Sequence, residues 1–353
     1  MSTSEQTLAP SARRPWELDA TGPASLSQVI EQEEQRVSSG EVAHLHPLPT
    51  GFEPLDDVLN GGVRPGELLV IGGAFGVGKT IWGLQVARNA VYASEGTTAA
   101  YVCYEHDRSH LMSRLICLES AQQGLGEDSL TLRKLAKMAA ETKDDVGVMG
   151  QLRRSARHLP LVRAIESYAD RLVLVKASGD HSTLDQIRGW VLEIAAMGPR
   201  RLLLVVDYLQ KIPVKSDAFQ SEAEAITYLT QGLKELAMAK GIMVIAVAAS
   251  DRLGLKSKRM RLSDLRGSSA LQYEADVGLI LNNKWAIVSR EHLVYNPTQS
   301  EGMRNWVVMS VEKNRAGRNA VDMEYALDAS HFRIVPTGGF VRDRLVDEKV
   351  TLA

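Results

Sequence analysis

Cysteine is nearly absent: Cys103 and Cys117 are the two in 353 residues. Both fall in apolar-patterned segments, which reads as buried free thiols and excludes a disulfide framework or a cysteine-ligated metal. Long hydrophobic runs are missing as well. The longest, around Ile242 to Ala249, has strand length, against the roughly 20 residues a membrane helix needs. The opening stretch MSTSEQTLAPSARRPW carries no apolar segment of the secretory kind, so a cytoplasmic protein without membrane contact is expected. Neither sign of charge is in excess: 41 Lys and Arg against 43 Asp and Glu leave a net of −2. Any nucleic-acid contact must then come from a local basic patch rather than a global field.

What is present is enough for a sizeable core, with 44% hydrophobic and 24% charged residues. Residues 1–24 are rich in Ser, Pro, Thr and Ala without periodicity, and are expected to be a disordered tail. Residues 25–46 read as a helix and linker. Leu26, Val29, Ile30 and Val37 share one side of that helix, and Glu31, Glu33, Glu34 and Arg36 lie largely on the other. So short a helix is not stable alone and must dock on something. Residues 47–340 alternate apolar runs with helical segments, and 341–353 read as a C-terminal tail. Strand–helix alternation predicts an α/β domain, a mostly parallel sheet with helices on both faces. One helix is predicted to start at a capping box, Ser182-Thr183-Leu184-Asp185, and to stop at Gly198-Pro199. Residues 121–170 read as a helical excursion from that domain.

The segment GAFGVGKT follows the strand ELLVIG and precedes the helical pattern IWGLQVARNAVYA. It fits a phosphate-binding loop in full, with Gly73, Ala74, Phe75, Gly76, Val77, Gly78, Lys79 and Thr80 as the ATP-binding residues. Glycines let backbone N–H groups curl around phosphate oxygens, and the helix N-terminus adds a favourable dipole. Lys79 is predicted to reach the β- and γ-phosphates and Thr80 to bind Mg²⁺. A second apolar strand, LLLVV, runs straight into Asp207, the position of a carboxylate that holds Mg²⁺. Glu105 ends the strand AAYVCYEHD and is either a base for the attacking water or a solvated strand-end residue.

Four segments, PTGFEPLDDVLNGGVRPGELLVIGGAFGVGKT, VVDYLQKIP, SDLRGSSALQYEADVGLIL and VEKNRAG, together resemble the motor domain of DnaB-type replicative helicases. These are RecA-like P-loop NTPases of the hexameric helicase superfamily. The resemblance runs from about Leu48 to Ile334; its most specific parts are Asp-Tyr-Leu-Gln and Ser-Asp-Leu-Arg. It implies that Glu105 is the catalytic glutamate. It also implies that Lys313 and Arg315 reach the γ-phosphate of a neighbouring subunit, where such a finger changes the rate by roughly 10³–10⁵. It further implies a homo-hexameric ring, with the 26–37 helix packed on the adjacent subunit, and single-stranded DNA in the channel. Between Arg252 and Arg266 six Lys or Arg face one acid, Asp264, a local charge of +5. Lys256, Lys258, Arg259 and Arg261 are the candidates there for contacting the strand's phosphates. The resemblance adds Arg266, Gly267 and Ser269.

The sequence departs from the family at Ala249, where a glutamine usually senses the γ-phosphate; a methyl cannot relay a hydrogen bond. Only about 45 residues precede the motor, so the family's collar domain, which engages primase, is expected to be absent. A further glycine often found after EKNRAG is absent as well, the chain continuing as RNAVD. The expected function is thus ATP hydrolysis coupled to DNA unwinding in DNA replication or a related transaction, 5′→3′ by family analogy, with ATP and Mg²⁺ as cofactors. A loader or primase is a possible partner. The alternative is a DNA-stimulated ATPase switch or loader, RecA- or KaiC-like, that does not unwind.

Overall fold

Every residue of Leu68–Gly73 (β1) is buried in the computed structural model, which describes residues 22–40, 42, 45–141, 146–214, 219, 221–251, 254–288 and 302–346. Its side chains alternate, Leu69 and Ile71 entering one hydrophobic cluster and Leu68 and Val70 another. The same division runs through Thr97–Cys103 (β2), Leu172–Lys176 (β3), Arg201–Asp207 (β4), Met243–Val247 (β5) and Val277–Asn283 (β6). Strands covered on both faces read as unbroken apolar runs, which is why the sequence shows no period of two there. Each fully buried Leu, Ile or Val contributes about 1.5–3 kcal/mol.

These six strands are parallel, in the order β3-β2-β4-β5-β1-β6. Trp306–Asn314 (β7) and Val321–Asp328 (β8) extend the sheet antiparallel beyond β6. The two-residue strands Arg333–Ile334 (β9) and Gly339–Phe340 (β10) both pair with β8. The expected α/β sheet is therefore present, mostly parallel, with an antiparallel flank beyond β6.

The helices are Leu26–Ser38 (α1), Leu55–Val58 (α2), Lys79–Ala93 (α3), Arg108–Gln122 (α4), Leu132–Ala140 (α5), Val148–Arg154 (α6), Leu159–Tyr168 (α7), Leu184–Ala196 (α8), Glu222–Lys240 (α9), Ser268–Glu274 (α10) and Lys284–Ile287 (α11). Helix α3 packs on one face with Leu84 and Val86, and α8 and α9 on the other with Ile187 and Leu229. The 121–170 excursion closes a small cluster of its own over α4, through Leu135, Leu152 and Leu161.

Three details differ from the sequence reading. Thr183, not Ser182, caps α8, because the Ser182 hydroxyl accepts the Ser178 N–H at 2.8 Å and holds the preceding turn. Residues 341–346 are not a free tail: Val346 N–H donates to Ile287 at 2.7 Å and Asp343 pairs with Lys284 at 2.6 Å. Helix α1 forms with a Ser25–Gln28 capping box, yet none of its residues is buried, and Leu26 is 74% exposed. The expected disordered tail lies outside the described residues over 1–21. Among the described residues no helix is long and apolar enough to cross a membrane.

Candidate functional site

The phosphate loop joins β1 to α3, and its glycines are dictated by backbone shape. Gly78, the N-cap of α3, has φ of 99°, in the left-handed region. At Gly73 an added Cβ would meet the Leu281 carbonyl oxygen at 2.4 Å. The Lys79 ammonium is folded back onto the loop, donating to the Gly73 and Ala74 carbonyls at 2.8 and 2.7 Å. Burial pulls its pKa down to about 8, against the opposing pull of Asp207 and Glu105.

Asp207 ends β4 beside that lysine and is 1% exposed. Its carboxylate accepts from the Tyr101 hydroxyl at 2.7 Å and from the Thr80 side chain. Burial raises its pKa, because the hydroxyls only partly replace water. Among the described residues it forms no ion pair. A carboxylate and a threonine hydroxyl side by side, short of compensating charge, suit a hard divalent cation. Mg²⁺ in particular takes few protein ligands and keeps its remaining positions for water and phosphate.

A cavity of about 260 Å³ opens over these groups and is lined by Phe75, Gly76, Gly78, Lys79, Thr80, Glu105, Asp207, Tyr208, Ala249 and Ser250, among others. It sits where β1, β2, β4 and β5 end, the edge at which parallel sheets take their ligands. The structure thus gathers Lys79, Thr80, Glu105 and Asp207 in one place, and Glu105 is exposed to it.

Among the lining residues that were not anticipated, His106, Arg114 and Phe332 form a group of their own. Arg114 Nη2 lies 3.0 Å from His106 Nε2, and its guanidinium stacks on Phe332 at 4.9 Å. An always-charged guanidinium can only donate, so His106 accepts at Nε2 and is neutral. Burial, and then Arg114, lower its pKa accordingly. A lone arginine inside the apolar pattern HLMSRLICL was the available signal for Arg114. Phe332 is 227 positions beyond Glu105 and left none.

Lys313 and Arg315, at the end of β7, do not line this cavity. Arg315 donates to the Tyr273 carbonyl at 2.6 Å and pairs with Asp276 at 3.1 Å, while half its side chain stays exposed. Lys313 donates to the carbonyls of Gln272 and Tyr273. Within one chain the pair therefore stands outside the cavity of the phosphate loop.

The basic segment is more varied than its sequence. Lys256 and Lys258 are exposed. Arg259 is not: it is 3% exposed and bound to Asp322 and Ser310, so it faces inward and braces the segment against β7 and β8. Arg261 pairs with Glu312 at 3.1 Å, and Arg266 with Glu222 at the start of α9. Three of the expected phosphate contacts are therefore matched with acids. Gly267, at φ of 75°, turns the chain into α10, with Ser269 exposed on its first turn. Arg252 lies outside the described residues.

Comparison with known proteins accords with this arrangement. Residues 47–333 match the model of the DnaB-like helicase C terminal domain. The replicative DNA helicase DnaB of Mycoplasma pneumoniae is 26% identical over 319 residues, covering 88% of this chain and 62% of its own length. That of Treponema pallidum is 28% identical over 235 residues, covering 67% and 48%. The chain thus spans about half to three fifths of these relatives. Among solved structures, the ATPase domain of G40P superposes with a TM-score of 0.69 at 20% identity, covering 89% of this chain and 99% of that one. A DnaB-like replicative helicase, described with its interactions with primase, gives 0.65 at 20% identity, covering 89% and 67%. The RecA-like fold follows from these superpositions, and on the match over 47–333 the chain belongs to the DnaB-like helicase C-terminal domain family.

Proposed function

We propose that this chain is the motor of an ATP-driven DNA helicase that works as a homo-hexameric ring on single-stranded DNA in replication or a related transaction, in the cytoplasm. One observation carries the reading: Lys79, Thr80, Glu105 and Asp207 line one cavity, and the cationic pair Lys313 and Arg315 stands outside it on the same chain. Such a division is productive only when a neighbour supplies the pair. Lys79 would hold the β- and γ-phosphates, and Thr80 and Asp207 the Mg²⁺ that neutralises them. Glu105 would take the proton of the attacking water. Arg315 from the next subunit would meet the charge that develops on the transferred group.

The test is strand displacement on a forked duplex with ATP, with Lys79→Ala and Glu105→Gln as controls. ATP-dependent displacement lost in both variants is expected. DNA-stimulated hydrolysis without displacement would instead support the switch or loader, a reading favoured by the bare methyl of Ala249 in the cavity wall. A relative described with primase makes primase one candidate partner, and a loader another.

A further inference from the structure

The segments after β5 and before α10 run antiparallel. Ser250 bridges Leu265, Arg266 N–H donates to Ala249 O at 3.0 Å, and Asp251 N–H donates to Asp264 O at 3.2 Å. A regular ladder would return a bond from Ala249 N–H to Arg266 O. That bond is not made. The carboxamide of Gln210 stands between the two groups, its Oε1 accepting Ala249 N–H at 3.0 Å and its Nε2 donating to Arg266 O at 3.1 Å. Only this orientation of the amide satisfies both, since one neighbour is a donor and the other an acceptor.

Gln210 is well placed to carry movement. It follows Asp207 by three residues, on a short turn pinned by buried Leu209 and Ile212. Tyr208, Ala249 and Ser250 line the cavity, whereas Gln210 does not. On its other side stands Arg266, one of the residues expected to meet DNA. Leu265 beside it packs so closely on Gly72 of β1 that a Cβ there would fall 2.3 Å from its side chain. A shift of the cavity wall at 249–250 therefore reaches Arg266 through the direct Arg266 N–H to Ala249 O bond and through the two hydrogen bonds of the Gln210 side chain, which fill the place of the missing return bond. Ala249 itself carries only a methyl, which can make neither bond.

We infer that Gln210 is the positioning residue that couples the nucleotide cavity to the Arg266 segment. The inference rests on the function proposed above. Two variants separate its halves. Gln210→Ala removes both bonds, whereas Gln210→Glu keeps an acceptor for Ala249 N–H but offers no donor to Arg266 O.

The full chain and both variants are compared by ATP turnover with and without single-stranded DNA. Hydrogen exchange of the 261–269 peptide is followed with and without a non-hydrolysable ATP analogue. Basal turnover is expected to stay within about twofold while DNA stimulation falls at least about fivefold, the lower end of ordinary coupling between sites. The nucleotide-dependent change in exchange is expected in the wild type and strongly reduced in Gln210→Ala, where only the backbone bond between Arg266 and Ala249 remains. Basal and stimulated rates falling in parallel, or stimulation left intact, overturns the inference. A wild type that DNA does not stimulate sinks the proposed function, and the exchange experiment then decides alone: a response equal in both proteins, or absent from both, overturns the coupling role.

Discussion

The Tyr101 hydroxyl donates a 2.7 Å hydrogen bond to Oδ2 of Asp207, joining two buried side chains on the neighbouring strands β2 and β4. The bond orients a carboxylate that burial has made costly. Because the folded pKa of Asp207 is raised, the native state holds more proton than the unfolded chain at pH above 3.8. Stability therefore falls as pH rises through the window from 3.8 to the folded pKa. At neutral pH the charge is a net cost until a cation arrives. Asp207→Asn should raise Tm of the nucleotide-free chain by about 2–4 °C, some 1 kcal/mol for a large domain. The same variant should lose the further stabilisation that MgATP gives the wild type. Thermal melts with and without MgATP check both; a lower Tm without ligand would show that the charge is already compensated.

Lys79 gives a pH dependence of opposite sense. Its ammonium, pulled down to about 8 from 10.5, is less protonated in the native chain than in the unfolded one across that window. Stability without nucleotide should therefore rise with pH between those values. Phosphates require the charged form, so nucleotide binding takes up a proton as pH passes 8. Kd for ATP should weaken about tenfold from pH 7 to pH 9, as expected for one group of that pKa. Titration with a fluorescent nucleotide measures it, and a flat profile would mean that the lysine stays charged throughout.

Much of this site was legible in the sequence because each part is local. The phosphate loop is eight contiguous residues, and Asp207 and Glu105 follow apolar strands that the sheet buries on both faces. The apolar stripe of α1 was equally plain from its spacing, though not that its own chain leaves it uncovered. What escaped depends on the partner a side chain meets across the fold. Arg259 reads as one more basic residue until Asp322, 63 positions later, folds over it. Tyr101 looks like core until its hydroxyl finds Asp207, 106 positions away. Strand β8 is quieter in the sequence, because Val321, Met323 and Tyr325 alternate with half-exposed residues and form no unbroken apolar run.

The inward turn of Arg259 separates it from its neighbours. Arg259 is buried while Asp322 keeps some contact with water and a hydrogen bond from Ser310, so Arg259→Ala should lower the urea midpoint through lost packing and a half-buried carboxylate left without its cation. Its DNA affinity, per folded molecule, should be unchanged. Lys256→Ala and Lys258→Ala should do the reverse, leaving stability intact while each reduces the slope of log K against log salt by about 1. Urea melts and binding isotherms at several salt concentrations test the contrast.

Helix α1 presents Leu26, Val29, Ile30 and Val37 to solvent, with Ile30 50% exposed. If a neighbouring subunit covers this stripe in the proposed ring, Leu26→Asp and Ile30→Asp should shift the nucleotide-bound protein from hexamer to monomer. No residue of the helix is buried in its own chain, so Tm at low protein concentration should hold. Light scattering with nucleotide reads the first effect. A hexamer that survives both substitutions would assign the stripe no part in assembly.

Arg266 meets Glu222 at the N-terminus of α9, where a carboxylate is also favoured by the helix dipole. Both side chains are about half exposed, so the pair contributes little to stability, about 0–1 kcal/mol. It does, however, compete with phosphate for the guanidinium. A strand entering must break the pair before Arg266 can neutralise a backbone charge. Glu222→Gln should therefore tighten single-stranded DNA binding by about two- to fivefold at low salt, the equivalent of removing such a surface pair. It should also steepen the salt dependence by about one counterion. The gain should vanish in the Glu222→Gln, Arg266→Ala double variant, because no guanidinium is left to release. Fluorescence anisotropy with labelled oligonucleotide measures all three proteins; an equal gain in the double variant would show that Glu222 repels the strand directly and leaves Arg266 out of the account.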